Sequence, residues 1–358
     1  MVLFGEVEAD EDREALRLSN RTKALYLIVT PLVLLALVAW SVTISSTDIT
    51  VSQVYGSLIN ALFPGTFDIP DTVQQIVMKV YAPRVLMAVF VGGILAIGGC
   101  ITQTILKNPL ATPYTLGVSS SAAFGAGMAM ILGISASVGI TGVMLNAFLF
   151  SLVPAGIILL ATARRSIGST TMILIGVSLS YLFSAANTLM QYFGESDAVK
   201  RALFWAVGDL NDAMLSQVPY VAVTMVFTLI LAMFLMKDMD VMRMGDDTAT
   251  ALGINVRFIR TAAVILACLS TAVAVSFVGA IGFVCLLAPQ ISRIFVGNGL
   301  RYLIPASMFT GALLLVAADI VAKSVIAPIM LPVGAITAVV GAPILIYLLV
   351  RRRNPMML

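Results

Sequence analysis

The amino-acid sequence predicts an all-α polytopic protein that crosses a membrane about ten times. Three observations predict this fold class. The 358-residue chain is 60% hydrophobic and 11% charged, whereas a soluble domain carries about 25% charged residues. Its apolar residues form long charge-free stretches, and its basic residues cluster between them. This composition excludes a soluble enzyme, a disordered chain and a nucleic-acid-binding protein.

The charge-free stretches define the membrane-spanning elements in order. The stretch 108–163 is long enough for two spans, with its break expected at 133–139, where the residues are small or polar. The stretch 261–292 forms either one long helix or two short ones that turn near 276–280. The uncharged segment 49–67 contains Asn60, Pro64 and Gly65 and predicts a re-entrant or surface helix. The remaining stretches are 24–47, 85–106, 166–194, 213–236, 302–318 and 324–350.

The distribution of basic residues decides between these alternatives. With an inner N-terminus and two spans in 261–292, most of the 21 basic residues lie in inner segments. With one span there, Arg293, Arg301 and the final arginines would lie outside. Because cytoplasmic loops are enriched in Lys and Arg, we predict ten spans with both termini cytoplasmic. The predicted organisation is a cytoplasmic tail (1–23), one transmembrane domain (24–353) and a short tail (354–358). The charged first 23 residues and the length of the first apolar stretch argue against a cleavable signal peptide.

An inner segment with the sequence NPLATPYTLG follows the second span, at 108–117. Its two prolines, four residues apart, are incompatible with a regular helix. One interpretation is a packing turn between spans two and three. The other is a constriction in a pathway, because irregular backbone at membrane depth occurs where it is buried in protein or lines a cavity.

The longest inner loop, 237–260, contains the sequence MGDDTATALGI. Asp246 is suited to cap a short helix, and Gly253 is suited to end it in a left-handed conformation. Met244, Ala249 and Leu252 would then form a small apolar face. We interpret the loop either as a solvated connection or as a helix that docks a soluble partner. An outer counterpart at 195–211 predicts a second short helix.

The sequence contains little catalytic chemistry. It has no histidine, three cysteines that lie far apart in apolar runs, and no GxxxxGK[ST] phosphate-binding pattern. Asp319, near the outer end of span nine, is the exceptional carboxylate within a span. We therefore expect no catalytic residue, no metal site and no cofactor bound by this chain. A pathway without its own energy source suggests a permease driven by a separate motor.

Five segments, in order, resemble the motifs of FecCD-type permeases, the membrane subunits of type II ABC importers for iron chelates, haem and cobalamin. The segments are 83–84, 108–125, 244–254, 279–293 and 331–344, and the resemblance extends over 81–353. It implies the type II ABC importer permease fold in a prokaryotic cytoplasmic membrane. The implied partners are a second permease subunit, expected to be an identical copy, two ATPase subunits on the inner side and an extracytoplasmic substrate-binding protein.

The resemblance also implies roles for particular residues. Asn108 and Leu110 match a cytoplasmic gate, and Thr170 and Thr171 match a second gate at the start of span five. The residues that match the ATPase-coupling surface are Gly245, Asp246, Asp247, Ala249, Leu252 and Gly253. The candidates for docking the binding protein are Lys323 and, with less specific support, Arg84, Lys79, Lys200 and Arg201.

The chain departs from the family pattern at two positions. Gln290 stands where many members have His, and Met330 stands where many have Glu. Because neither position matches a gate or the coupling loop, we expect transport to be unaffected. The departures do weaken any transfer of substrate identity from a particular relative.

Our hypothesis for the mechanism places the pathway between two permease copies, lined mainly by span five. The lining candidates, whose spacing is compatible with one helical face, are Ser178, Tyr181, Ser184, Asn187 and Gln191. A weakly polar wall suits a bulky cargo that must also leave. The expected cargo is an iron(III)-siderophore, with cobalamin, haem and molybdate as alternatives.

Two other classes stay open at this point. A secondary transporter driven by an ion gradient is disfavoured by the scarcity of ionisable residues within the spans. A membrane scaffold without transport is disfavoured by the inner loop that prolines interrupt.

Overall fold

The computed structural model describes residues 2–44, 49–135, 137–164, 167–327 and 329–351, and the predicted C-terminal tail 354–358 lies outside them. The regular elements of these ranges are helices. They are α1 (Val2–Thr43), α2 (Val51–Leu62), α3 (Asp71–Ile76), α4 (Ala82–Ile105), α5 (Val118–Ile131), α6 (Ile140–Arg164), α7 (Ser169–Phe193), α8 (Ser196–Val207), α9 (Val218–Met244), α10 (Asp246–Ala251), α11 (Val256–Val278), α12 (Val284–Val296), α13 (Leu300–Ser324) and α14 (Val333–Arg351). A π-helical turn, Val77–Tyr81, joins α3 to α4.

The helices confirm the predicted membrane architecture. Within the described residues, seven helices are long and apolar enough to cross a membrane, and three shorter apolar helices, in α5, α12 and α14, complete the predicted set of spans. The stretch 108–163 divides into α5 and α6, with its break where the small and polar residues lie. The stretch 261–292 divides into α11 and α12, with the turn at 279–283.

Contacts between loops show which segments share one end of the bundle. At one end, Lys107 Nζ lies 3.0 Å from Asp246 Oδ1, and Arg243 donates to the Asn298 carbonyl over 2.5 Å. These are segments that the charge distribution assigns to the inner side. With a single helix in 261–292, Asn298 would lie at the opposite end from Arg243. The contact therefore supports two helices there.

Helix α4 is the centre of the bundle. The α3–α4 segment is 83% buried over its most apolar window, and it packs against α9, α11, α12 and α13. Small residues permit this close packing in a membrane. A Cβ atom on Gly92 would lie 2.5 Å from the Gly311 carbonyl oxygen of α13, and one on Gly99 would overlap the Cys285 carbonyl of α12.

Two irregular segments meet inside the bundle. The segment 107–117 returns from the inner end of α4 to the start of α5 and ends in a 3₁₀ turn, Tyr114–Leu116. The segment 279–283 separates α11 from α12. The Tyr114 hydroxyl donates to the Ile281 carbonyl over 3.0 Å. This contact agrees with the prediction that the proline-containing loop is ordered. It also shows that the loop lies against protein at this point.

The helix boundaries differ from the charge-free stretches in two places, at α1 and between α13 and α14, whereas the predicted extra helix in 49–67 is present. Helix α1 starts at Val2, so the backbone of the predicted tail 1–23 continues into the first span as one helix. The uncharged segment 49–67 contains α2, which begins with a capping box between Thr50 and Gln53. Helix α13 continues to Ser324 and α14 begins only at Val333, because the apolar segment between them is an irregular connection.

Candidate functional site

At the inner end of α4, a lysine occupies a backbone conformation that favours glycine. The N–H of Lys107 donates to the Thr104 carbonyl and the N–H of Asn108 donates to the Gln103 carbonyl, which is the Schellman pattern. Lys107 occupies the left-handed position of this pattern with φ of 52°. A residue with a Cβ atom loses roughly 1–2 kcal/mol in this conformation, so glycine is the usual choice there.

The loop that follows, 108–117, presents one apolar side chain. Asn108 Oδ1 accepts a hydrogen bond from the Leu110 N–H over 2.9 Å, and the Ala111 N–H donates to the Asn108 carbonyl. This Asx turn leaves Leu110 43% exposed while Ala111 and Thr112 are buried. The predicted gate residues therefore form a turn and its exposed tip, and their gating role stays a prediction.

Two buried glutamines hold this loop. Gln290 Nε2 donates to the Pro109 carbonyl over 2.9 Å and to Gln103 Oε1 over 3.1 Å. Gln103 Nε2 in turn donates to the Leu286 carbonyl of α12. Gln290, which matches no gate position in the sequence, thus lies directly against the loop that carries the predicted gate residues. The sequence carried a signal for this pair, because amide side chains inside apolar helices need partners.

The short inner helix α10 exists as predicted, but its start differs. The N-cap is Gly245, and its cap has no side-chain hydrogen bond among the described residues. Asp246 does not cap the helix, because its two oxygens bind cations from other segments. Oδ1 lies 3.0 Å from Lys107 Nζ, and Oδ2 lies 2.6 Å from Arg260 Nη2.

The electrostatics of Asp246 favour its charged form. Partial burial pushes its pKa upward, but the hydrogen bonds and charges of Arg260 and Lys107 together outweigh burial and lower the pKa below its ordinary value. Because an aspartate with a lowered pKa contributes its stabilisation above its ordinary pKa and loses it only at lower pH, both ion pairs persist throughout the neutral range.

The end of α10 confirms the prediction for Gly253. Its φ is 83°, its N–H donates to the Thr250 carbonyl, and the Ile254 N–H donates to the Ala249 carbonyl. The predicted apolar face is wrong, however. Ala249 is fully buried in the core, whereas Met244 and Leu252 are 78% and 66% exposed. Asp247 is also exposed, so the outward surface of α10 consists of Asp247, Leu252 and neighbouring residues without Ala249.

Near its inner end, helix α7 meets the gate loop, which is the segment 107–117 with the predicted gate residues Asn108 and Leu110. A Cβ atom on Gly176 would lie 2.5 Å from the Leu116 Cα and 2.6 Å from the Thr115 carbonyl oxygen. The absence of a side chain at Gly176 therefore allows the loop to lie against α7. Thr170 and Thr171, the predicted second gate, are exposed within two turns of this contact.

The proposed lining residues of α7 do not share one face. Ser178 and Ser184 are exposed, and Tyr181 is 75% exposed. Asn187 and Gln191 are partly buried, and Asn187 Oδ1 is enclosed without a hydrogen-bond partner among the described residues. The five positions spread over about half of the helix circumference, since successive residues differ by roughly 100°. The first three residues thus fit an open surface, and the other two do not.

A buried ionic cluster occupies the outer end. Asp319 Oδ1 lies 2.5 Å from Arg84 Nε, and Oδ2 lies 2.6 Å from Lys323 Nζ. The three side chains are at most 2% exposed. The predicted docking role of Arg84 and Lys323 is therefore corrected, because buried and paired cations do not face a partner's carboxylates. Sequence reasoning located Asp319 but missed its two partners.

The ionic cluster joins segments that are distant in sequence. Lys323 Nζ donates to Ser41 Oγ of α1 over 3.2 Å, and Arg84 Nη1 donates to Asn211 Oδ1 in the loop after α8. Arg84 Nη1 also lies 3.6 Å from Met330 Sδ. The second departure from the family pattern thus lies against this cluster. Arg84 Nη2 is buried without a hydrogen-bond partner among the described residues.

The other three docking candidates remain accessible. Lys79 is exposed and donates to Gln75 Oε1, and Lys200 and Arg201 are exposed on α8. These two basic residues line an open cavity of about 470 Å³ together with Trp205 and Asp209. Burial raises the pKa of Asp209 despite the opposing charge of Arg84. The cavity contains both signs of charge and opens at the end that also carries the ionic cluster.

Comparisons with known proteins agree with these features. The model of the FecCD transport family matches residues 33–351. An ABC transporter permease protein of Methanocaldococcus jannaschii is 35% identical over 94% of this chain and 97% of its own length. The Fe(3+) dicitrate transport permease of Escherichia coli is 36% identical over 78% and 86%. The cobalamin import permease of Halobacterium salinarum is 36% identical over 80% and 76%.

A solved structure has a similar fold. An inward-facing ABC transporter of the metal-chelate type superposes with a TM-score of 0.78 and 27% identity, over 91% of this chain and 98% of that chain. The family match includes the gate loop, α10, α7 and the helices that carry the outer ionic cluster. The chain is therefore a multi-pass protein of a prokaryotic plasma membrane and belongs to the FecCD transport family.

Proposed function

We propose that this chain is the permease subunit of an ATP-driven importer that carries a metal chelate, with an iron(III)-siderophore as the first cargo to test, into the cell. The observation that carries the proposal is the family match over residues 33–351. In this proposal the chain itself is not catalytic, and a separate ATPase subunit hydrolyses ATP. The chain contributes the pathway, the inner gate and the surface that receives the motor.

The inner end has the features that such a subunit needs. Helix α10 exposes Leu252 and Asp247 away from the bundle, and an ion pair joins α10 to the gate loop. An ATPase that binds this surface would act directly on a segment in contact with the gate. We therefore place the ATPase contact on Gly245, Asp246, Asp247, Leu252 and Gly253.

A second copy of the chain would complete the pathway. Helix α7 packs on α5 and the 3₁₀ turn, and its opposite face exposes Ser178, Tyr181 and Ser184. In this proposal, the exposed face meets α7 of the second copy across the pathway. On the outer side, the binding protein would contact Lys79, Lys200 and Arg201.

The burial of charges favours an ATP-driven importer over a transporter driven by an ion gradient. Among the residues whose side-chain burial is described, Asp319 is the only fully buried carboxylate, and both of its oxygens bind cations. A carboxylate that relays protons or binds sodium needs access to the pathway and a reversible change of partner. Asp319 lacks this arrangement in the structure.

The choice of cargo rests on relatives rather than on a binding site. The two similar permeases described above are named for Fe(3+) dicitrate and cobalamin. The weakly polar exposed face of α7 suits either cargo, since it offers few strong binding groups. An iron chelate is therefore our first proposal, and cobalamin, haem and molybdate are the alternatives that the experiment must include.

The experiment is ATP hydrolysis by the reconstituted complex. The chain, the ATPase and the binding protein from the same genome are purified together and placed in proteoliposomes. The binding protein is loaded in turn with ferric hydroxamate, ferric catecholate, haem, cobalamin or molybdate. We expect an iron chelate to stimulate hydrolysis above the rate with the empty binding protein. Stimulation by cobalamin, haem or molybdate alone would contradict the iron proposal, and failure of any ATPase to associate would contradict the class.

A further inference from the structure

The gate loop is held at two residues, Lys107 and Pro109, by different parts of the molecule. The Pro109 carbonyl accepts a hydrogen bond from Gln290, which is buried in α12. Lys107 forms an ion pair with Asp246 on the short inner helix α10. Only Asn108 separates the two attachment points. Any displacement of α10 relative to α12 therefore acts on the turn that presents Leu110.

The backbone at Lys107 gives a second reason to consider this ion pair. Lys107 occupies the left-handed position that ends α4, with φ of 52°. Glycine would satisfy this backbone requirement without the steric conflict of a Cβ atom. The way in which α4 ends therefore does not explain why residue 107 is a lysine. Its side chain does provide a contact that glycine cannot make, because its ammonium group reaches Asp246 Oδ1 at 3.0 Å.

The other oxygen of Asp246 fixes the orientation of the carboxylate. Asp246 Oδ2 lies 2.6 Å from Arg260 Nη2, and the Arg260 side chain is 5% exposed at the start of α11. Lys107 and Asp246 are 37% and 43% exposed. The pair of Asp246 with Arg260 thus anchors α10 to the bundle, whereas its pair with Lys107 is accessible and reaches the gate loop.

We propose that the Lys107–Asp246 ion pair is the link through which α10 moves the gate loop, with the Gln290 hydrogen bond to Pro109 as the fixed point. Lys107 is then a positioning residue that contacts neither cargo nor ATP. This inference rests on the proposed function, because it assigns the source of movement to an ATPase bound at α10.

The test compares variants of Lys107 in the complete complex with ATPase and binding protein. Lys107→Gly removes the side chain and suits the left-handed backbone, so it should fold. Lys107→Asn removes the charge and also tolerates this backbone, without the added flexibility of glycine. Lys107→Arg keeps a cation. Arg243→Gln is the matched control, since Arg243 belongs to another inner ion pair of similar exposure that does not reach the gate loop.

Two readouts separate a positioning role from a structural one. The first, measured in proteins that keep the native Leu110, is the amount of cargo transported per ATP hydrolysed. The second is the labelling rate of a Leu110→Cys reporter by a membrane-impermeant maleimide, with and without trapped nucleotide. The three native cysteines are buried, so they should give little background.

We expect nucleotide to change the labelling rate in the parent, in Lys107→Arg and in Arg243→Gln. In Lys107→Gly and Lys107→Asn the change should disappear, while assembly and ATP hydrolysis persist. Cargo transported per ATP should then fall by about fivefold or more, which is the lower end of typical coupling between sites.

The contradicting outcomes are distinct. Native transport per ATP and a native labelling change in both Lys107→Gly and Lys107→Asn would overturn the link while leaving the proposed function intact. A labelling rate that is insensitive to nucleotide in the parent would also overturn it. Transport without ATP dependence in the parent would overturn the proposed function, and the link with it.

Discussion

Asp319 holds two cations inside the bundle, so its loss should lower the stability of the protein. Asp319→Asn would leave Arg84 and Lys323 buried without their shared counter-ion. Breaking a buried ion pair by removing one partner costs roughly 3–5 kcal/mol. We expect a lower unfolding midpoint in detergent, measured by the reaction of a thiol-specific dye with the three buried cysteines.

Ser41→Ala is the control for this prediction. It removes a hydroxyl that accepts from Lys323 and donates to Asp319 Oδ2 over 3.4 Å but leaves the charges in place, and such a loss costs about 1 kcal/mol. An Asp319→Asn midpoint equal to that of Ser41→Ala would show that the carboxylate does not hold the two cations.

Gln290 allows a second prediction for a single residue. Gln290→Met keeps a similar length but loses the donors to Pro109 and Gln103. A buried carbonyl left without its donor costs roughly 1–3 kcal/mol. The gate loop should loosen, and a Leu110→Cys reporter should label faster without nucleotide than it does with native Gln290. An unchanged labelling rate would mean that the remaining contacts, such as that of Tyr114 with Ile281, suffice to hold the loop.

Helix packing gives a prediction for a pair of elements. Helices α4 and α13 cross where Gly92 meets Gly311, with room for no side chain on either residue. Gly92→Val should force the two helices apart and lower the yield of folded protein, measured as the monodisperse fraction after detergent extraction. Gly156→Val in α6 is the matched control, since a Cβ atom there meets nothing within 4 Å. Equal yields would contradict the close crossing.

The exposed face of α7 predicts where two copies meet. Tyr181→Cys should form a disulfide between copies under mild oxidation, detected as a dimer on a non-reducing gel. Tyr220→Cys is the control, because Tyr220 lies on α9 with an exposure of 68%, against 75% for Tyr181. A dimer from Tyr220→Cys but not from Tyr181→Cys would place the second copy on α9 and contradict the proposed pathway.

At the scale of whole elements, the sequence predicts most where long charge-free stretches alternate with basic segments. Charge-free length and the position of basic residues predict the spans and the division of 108–163 and of 261–292 into two helices each, because a bilayer limits span length and cytoplasmic loops are rich in basic residues. The sequence does not predict which side of α10 is buried. Ala249 and Leu252 have the spacing of one face, but Ala249 is fully buried and Leu252 is 66% exposed. This depends on tertiary packing, which no local pattern encodes.

Local sequence patterns also do not predict the contacts between residues that are distant in the sequence. Arg84 and Lys323 were correctly recognised as cations at the outer end, but their burial follows from Asp319, which is 235 residues from Arg84. The contact of Lys107 with Asp246 is not predictable from the sequence, because the backbone conformation of Lys107 and its distance to Asp246 are properties of the folded chain. Gln290 and Gln103 were detectable as polar residues in apolar helices, although their shared contact with Pro109 was not.

Considered as a whole molecule, the chain joins an outer ionic cluster, a tightly packed central helix and an inner gate loop tied to α10. The outer ionic cluster and the Lys107–Asp246 ion pair lie at opposite ends of the same bundle. Helix α4 carries Arg84 near one end and leads into Lys107 at the other. Helix α4 therefore connects the outer ionic cluster to the inner gate loop.

The measurement that tests the central claim most directly is uptake of radioactive ferric siderophore into proteoliposomes that contain the permease, its ATPase and its binding protein. ATP is supplied on the side of α10, and ionophores remove proton and sodium gradients. Our account predicts uptake that requires ATP and the binding protein and that persists with the ionophores. Uptake that continues without ATP and stops when the gradients collapse would contradict it.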